Sequence, residues 1–154
     1  MIRLKKILFP TDFSEYSLHA LPYARRFAEA FHAKLYLLHV VEPMRVLVDD
    51  LLAPASVLQM ETEAEERGRA RLRELVDLPM RATLEIEERV IRGVPFAEIV
   101  RVAREEEIDL IVLATHGLSG IAQLLIGSTA EKVVRKAPCA VLTVKSSQHE
   151  FVRP

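Results

Sequence analysis

The chain has 154 residues, half of them hydrophobic and 28% charged, which fits one globular domain and excludes a disordered one. The formal net charge is −1, and no run of Lys and Arg is interleaved with aromatics, so there is no footprint for a nucleic-acid partner. No stretch approaches an uninterrupted membrane span, and Pro10 cuts off the apolar run after Met1 without a small-residue cleavage site; the sequence reads as cytoplasmic, with no membrane partner.

Lys6-Ile7-Leu8-Phe9 is a short apolar run ended by a proline and reads as a buried strand. From Ser14 the spacing turns helical, with Leu18, Leu21, Ala24, Phe27, Ala28 and Phe31 on one stripe and Arg25, Arg26 and Glu29 opposite. Pro22 predicts a kink within that helix. Residues 35–41 form a second strand, and 42–53 are irregular. A charged helix follows from about residue 54 to 76, in which Glu61, Glu63, Glu65 and Glu66 read as solvated surface. Residues 83–91 alternate Leu84, Ile86, Glu88 and Val90 against Glu85, Glu87 and Arg89, as a partly exposed strand would. Gly93-Val94-Pro95 opens another helix, with proline where a missing N–H costs nothing. Residues 108–114 are the most hydrophobic strand, 128–136 a short helix and 141–144 a closing strand. The domain spans 1–145, and 146–154 is a polar tail expected to fray.

Strands alternating with helices at this spacing predict an α/β protein, a parallel sheet covered on both faces. Ligands of such sheets bind outside the carboxyl ends of the strands, where the winding reverses. Two loops stand out, one following the first strand (Pro10-Thr11-Asp12-Phe13-Ser14) and one following the fourth (residues 117–128). The single cysteine, Cys139, reads as a small buried hydrophobe. The chain has no Asn and more Arg than Lys, a composition that suits a heat-adapted source.

The fourth-strand loop carries Ala114-Thr115-His116-Gly117 and, nine residues on, Gly127-Ser128-Thr129. Glycines between a strand and a helix leave backbone N–H groups open to an anion, and the helix adds its orphan donors and positive dipole end. The segment is neither a P-loop nor a GxGxxG fingerprint. Its glycines also read as loop punctuation, and Ser128 as a helix N-cap with Glu131 completing a capping box. Asp12 suits a ribose hydroxyl pair, a metal or a base, and equally a cap on the helix near Ser14. His39 reads as a packed, hydrogen-bonded histidine. His116 can meet a phosphate but has no partner for catalysis.

Pro10-Thr11-Asp12-Phe13-Ser14, Leu38-His39-Val40, Gly93-Val94-Pro95, Asp109-Leu110-Ile111-Val112, Thr115-His116-Gly117, Gly127-Ser128 and Ala137-Pro138-Cys139-Ala140-Val141-Leu142 together resemble the universal stress protein family, from residue 3 to about 145. The resemblance implies a five-stranded parallel sheet in the order 3-2-1-4-5, of the adenine nucleotide alpha hydrolase-like kind. It also implies a homodimer through the last strand. In one branch of the family it implies bound ATP, or ADP or AMP, with magnesium or manganese as the accompanying ion. Carried over by position, Asp12 would hold the ribose; Pro10, Thr11 and Val40 would line the adenine, with Val40 offering backbone hydrogen bonds. His116, Gly117, Gly127, Ser128 and Thr129 would meet phosphates and ribose. The family pattern G-x2-G-x9-G-[ST] begins here with Ala114, whose methyl adds bulk, and residues 118–126 carry no positive charge. A triphosphate would then rely on backbone dipoles, a metal ion, or Lys132 and Arg135, which predicts weak triphosphate binding.

The leading expectation is a universal stress protein that binds an adenine nucleotide as a signal, with slow ATP hydrolysis at most. The alternatives are a dimeric interaction protein of the same fold that binds no nucleotide, and a slow hydrolase or phosphotransferase using Asp12 and Ser128 or Thr129.

Overall fold

The apolar runs become strands, and the central ones are buried throughout. The computed structural model describes residues 1–43, 54–115 and 127–145. In chain order these form β1 (Lys6–Pro10), α1 (Glu15–Leu18), α2 (Leu21–Phe31), β2 (Lys34–Val41), α3 (Pro54–Leu75) and α4 (Leu78–Thr83). β3 (Ile86–Arg92), α5 (Pro95–Glu105), β4 (Leu110–Ala114), α6 (Ser128–Lys136) and β5 (Ala140–Val144) complete the set. The sheet is parallel with the order β3-β2-β1-β4-β5, as the resemblance implied. The expectations for His116, Gly117, the uncharged stretch 118–126, most of segment 42–53 and the tail fall outside the described residues.

Side chains alternate across the sheet and feed two apolar layers. Ile7 and Phe9 of β1 pack with Ala24 and Ala28 of α2 and with Leu72 of α3. Leu8, between them, packs on the other face with Ile99 and Val102 of α5 and Val133 of α6. α2 and α3 therefore cover one face, and α5 and α6 the other. β4, in the middle, is buried at all five positions, the mark of a parallel strand covered on both faces.

Two expectations need correction. The helix read through Pro22 as a kink is two helices, broken at His19 and Ala20. A proline inside a helix has no N–H for the carbonyl four residues back, so α1 stops and α2 restarts with Pro22 in its first turn. The strand expected over 83–91 begins only at Ile86. Asp77 caps a short helix by accepting the Met80 N–H at 2.7 Å, and Pro79 sits in its first turn, so Thr83 ends α4 instead of opening a strand.

Candidate functional site

β1 runs out before β2 does, and this opens a crevice. The β1–β2 ladder ends at Pro10 opposite Leu38, where Thr11 N–H donates to the Leu38 carbonyl at 2.9 Å. Backbone groups two residues apart on a strand point the same way, so the N–H and C=O of Val40 aim toward the side β1 has left. Val41, one residue on, aims the other way and accepts from Gly93 N–H at 3.0 Å.

The chain after Pro10 is held by its own side chains. The Thr11 hydroxyl is buried and accepts the Phe13 N–H at 2.9 Å. A carboxylate oxygen of Asp12 accepts the Ser14 N–H at 2.9 Å. Ser14, not Asp12, is the N-cap of α1, its hydroxyl accepting from Ser17 N–H at 3.1 Å. The reading of Asp12 as that cap is therefore corrected, and Asp12 stands at the carboxyl end of β1.

On the far side, Thr115 extends β4 by donating to the Val144 carbonyl at 3.0 Å, and its own carbonyl accepts from Gly127 N–H at 2.6 Å. α6 is capped by Gly127, with no side-chain hydrogen bond. Ser128 is the first helical residue and not the cap, and the Glu131 carboxylate lies 2.9 Å from Arg135, so the capping box does not form. Among the described residues no side-chain cap competes with a ligand for the first-turn donors of α6, which carry the positive end of its dipole.

These parts meet at one cleft of about 750 Å³. Of the residues singled out from the sequence, Pro10, Thr11, Asp12, Val40, Ala114, Gly127, Ser128 and Thr129 all line it. His39 lines it too, with Nδ1 at 2.9 Å from the Thr11 carbonyl and its ring centroid 4.4 Å from that of Phe13. Burial holds the His39 imidazole below its ordinary range; the Thr11 carbonyl and Asp12 pull upward, and Arg71 adds to the lowering.

Sequence reasoning missed the contribution of α3. Arg67, Gly68 and Arg71 line the cleft. The Arg71 guanidinium lies 4.4 Å over the Phe13 ring and donates to the Phe13 carbonyl at 3.4 Å. Gly68 lets the helix come close: a Cβ there would stand 2.8 Å from His39 Cδ2. A lone glycine inside a helix of charged residues was the available signal. Lys132 and Arg135, expected to reach back, do not line the cleft; Lys132 Nζ sits 4.9 Å from the Phe96 ring centroid. Glu61 and Glu65 are not solvated surface either. Their side chains are 13% and 19% exposed and pair with Arg92 of β3, which holds the Glu65 carboxyl below its usual range.

Among the described residues no three His, Cys, Asp or Glu side chains cluster as a metal site. The oxygen donors at the cleft include the Asp12 and Glu42 carboxylates and the Ser128 and Thr129 hydroxyls, hard ligands that suit magnesium sharing a ligand's phosphates more than a metal held by the protein alone.

Fold and cleft define an open α/β protein with a crevice where the strand order reverses. Residues 3–145 match the universal stress protein family, and the chain belongs to it. It is 35% identical to Universal stress protein MJ0531 of Methanocaldococcus jannaschii over 146 residues, covering 95% of this chain and 85% of that protein. It is 30% identical to Universal stress protein MJ0577 of the same organism, covering 94% and 96% of the two chains. The solved structure of MJ0577 superposes with a TM-score of 0.77 at 26% identity over 96% of this chain and all of that one. A universal stress protein crystallised in complex with cAMP superposes with a TM-score of 0.62 at 29% identity, covering 95% of this chain and 100% of that chain. Among the described residues no helix is long and apolar enough to cross a membrane.

Proposed function

We propose that this protein binds an adenine nucleotide (ATP, ADP or AMP) in the β1–β4 crevice, as a signal or state marker in a cytoplasmic stress response. One observation carries the reading: a carboxylate at the end of β1, the outward backbone of Val40 and a helix terminus without a side-chain cap converge on one cleft. The three suit a ribose, an adenine edge and a phosphate respectively. The similar universal stress protein in complex with cAMP supports an adenine ligand. Pro10, Ala114 and Thr129 would bound the ligand. Ala114 is 9% exposed, and it forms part of the cleft wall. The same reading includes a homodimer joined along β5.

Calorimetric titration with ATP, ADP, AMP and cAMP tests the binding. The native chain is expected to bind at least one of them. Asp12→Ala, which loses the ribose acceptor, should weaken binding about tenfold or more. Silence of the native chain toward all four nucleotides at millimolar concentration would overturn the reading, as would an unchanged affinity in the variant.

A further inference from the structure

Two carboxylates, Asp12 and Glu42, line the cleft, and they oppose any ligand that carries phosphate. Residues 118–126 contain no Lys or Arg. Arg135 is paired with Glu131 and Lys132 lies over Phe96. Among the described residues that line the cleft, the arginines and lysines are Arg67 and Arg71 alone. We propose that these two residues, one turn apart on α3, are the cationic anchor of the cleft and contact the phosphate groups of its ligand, so that affinity rises with phosphate number. This rests on the nucleotide reading above.

The local structure is arranged for that role. Gly68 lies between them and seats α3 against the His39 ring and Val90, which brings the flanking arginines to the rim. Arg71 is held in place by the Phe13 ring and carbonyl, so less side-chain freedom is lost when its fork meets an oxyanion. Arg67 is 66% exposed and lies 3.7 Å from Glu63, itself half exposed. Such a contact is worth little in water and yields readily to a phosphate. The neighbouring acids Glu61 and Glu65 pair with Arg92, so they do not cancel the two arginines. α3 covers one face of the sheet and α6 the other. An anion in the crevice is thus met by a helix dipole from one layer and by guanidinium groups from the opposite one. The expectation of weak triphosphate binding, drawn from the uncharged stretch 118–126, gives way under this proposal to the reverse.

The test titrates the native chain, Arg67→Gln, Arg71→Gln and the double variant with adenosine, AMP, ATP and inorganic tripolyphosphate. Circular dichroism checks folding; both arginines are exposed and glutamine is a good helix former. In the native chain affinity should climb from adenosine to AMP to ATP and fall with salt. The double variant should lose about tenfold or more for ATP while changing little for adenosine. Retained ATP affinity in the folded double variant overturns the proposal, and so does an equal loss for adenosine and ATP. If adenosine and ATP bind the native chain equally, the adenine reading stands and the anchor falls. If the native chain ignores adenosine and AMP but binds tripolyphosphate, and the double variant does not, the anchor stands and the adenine reading falls. Silence of the native chain toward all four probes overturns both.

Discussion

Phe13 adopts a left-handed backbone, φ 62°, which costs a residue with a Cβ about 1–2 kcal/mol. The hydrogen bond from its N–H to the Thr11 hydroxyl and the His39 ring packed beside it offset that cost. His39 is itself half-buried there. Its imidazole is held below the ordinary range by burial, opposed by the Thr11 carbonyl and Asp12 and reinforced by Arg71. The unfolded chain therefore takes up the His39 proton before the folded chain does. The stabilisation is complete above the unfolded value of about 6.5 and is lost as pH falls through the lower folded value. Thermal melts of the native chain and His39→Gln between pH 7.5 and 5 measure this. The native Tm should fall more steeply with acidification than the variant's, and parallel slopes would refute the account.

At the scale of elements, α3 shows a helix giving up propensity for proximity. Alanine at an exposed position in place of a helical glycine stabilises by about 1 kcal/mol. At Gly68 the new methyl meets a ring fixed by its hydrogen bond to Thr11, at 2.8 Å. Overpacking of that kind costs roughly 1–3 kcal/mol. Gly68→Ala should therefore destabilise by about 1 kcal/mol in urea unfolding, against its propensity. Combined with His39→Ala, which vacates the space, the same substitution should become neutral or stabilising, a coupling that a double-mutant cycle reads directly. The elements also show what a sequence makes legible. α6 occupies the residues expected for it because its pattern fills a whole helix between a glycine and a proline. α4 escaped notice because six residues are too few for a helical period to show beside the alternation of β3. Asp12 and the Gly127-Ser128-Thr129 run could be read as parts of a site because each lies beside a strand end. Arg67 and Arg71 could not, since only the packing of α3 across β2 and β3 brings them to the cleft.

For the whole molecule, the two edges of the sheet differ in character. β3 is laced with charge: Glu87 pairs with Lys34 at 2.8 Å, Glu88 with Arg81 at 3.0 Å and Arg89 with Glu106 at 2.7 Å. Charged edges resist pairing with another chain. β5 (Ala140–Val144) carries no charged residue and bonds β4 on one side. A second copy adding along β5 would give a closed two-fold pair. Sedimentation equilibrium should give twice the chain's mass at micromolar concentration, and a monomer across the whole concentration range would refute the pairing. The cleft draws its lining from the ends of β1, β2 and β4 and from helices on both faces. No part of the chain can then come loose there without giving up some of whatever is held. A ligand present at a hundred times its dissociation constant would add about 2.7 kcal/mol to the folding of the entire chain. The protein's survival under heat or proteolysis would therefore follow the supply of its ligand, and its abundance alone would keep a record of that supply.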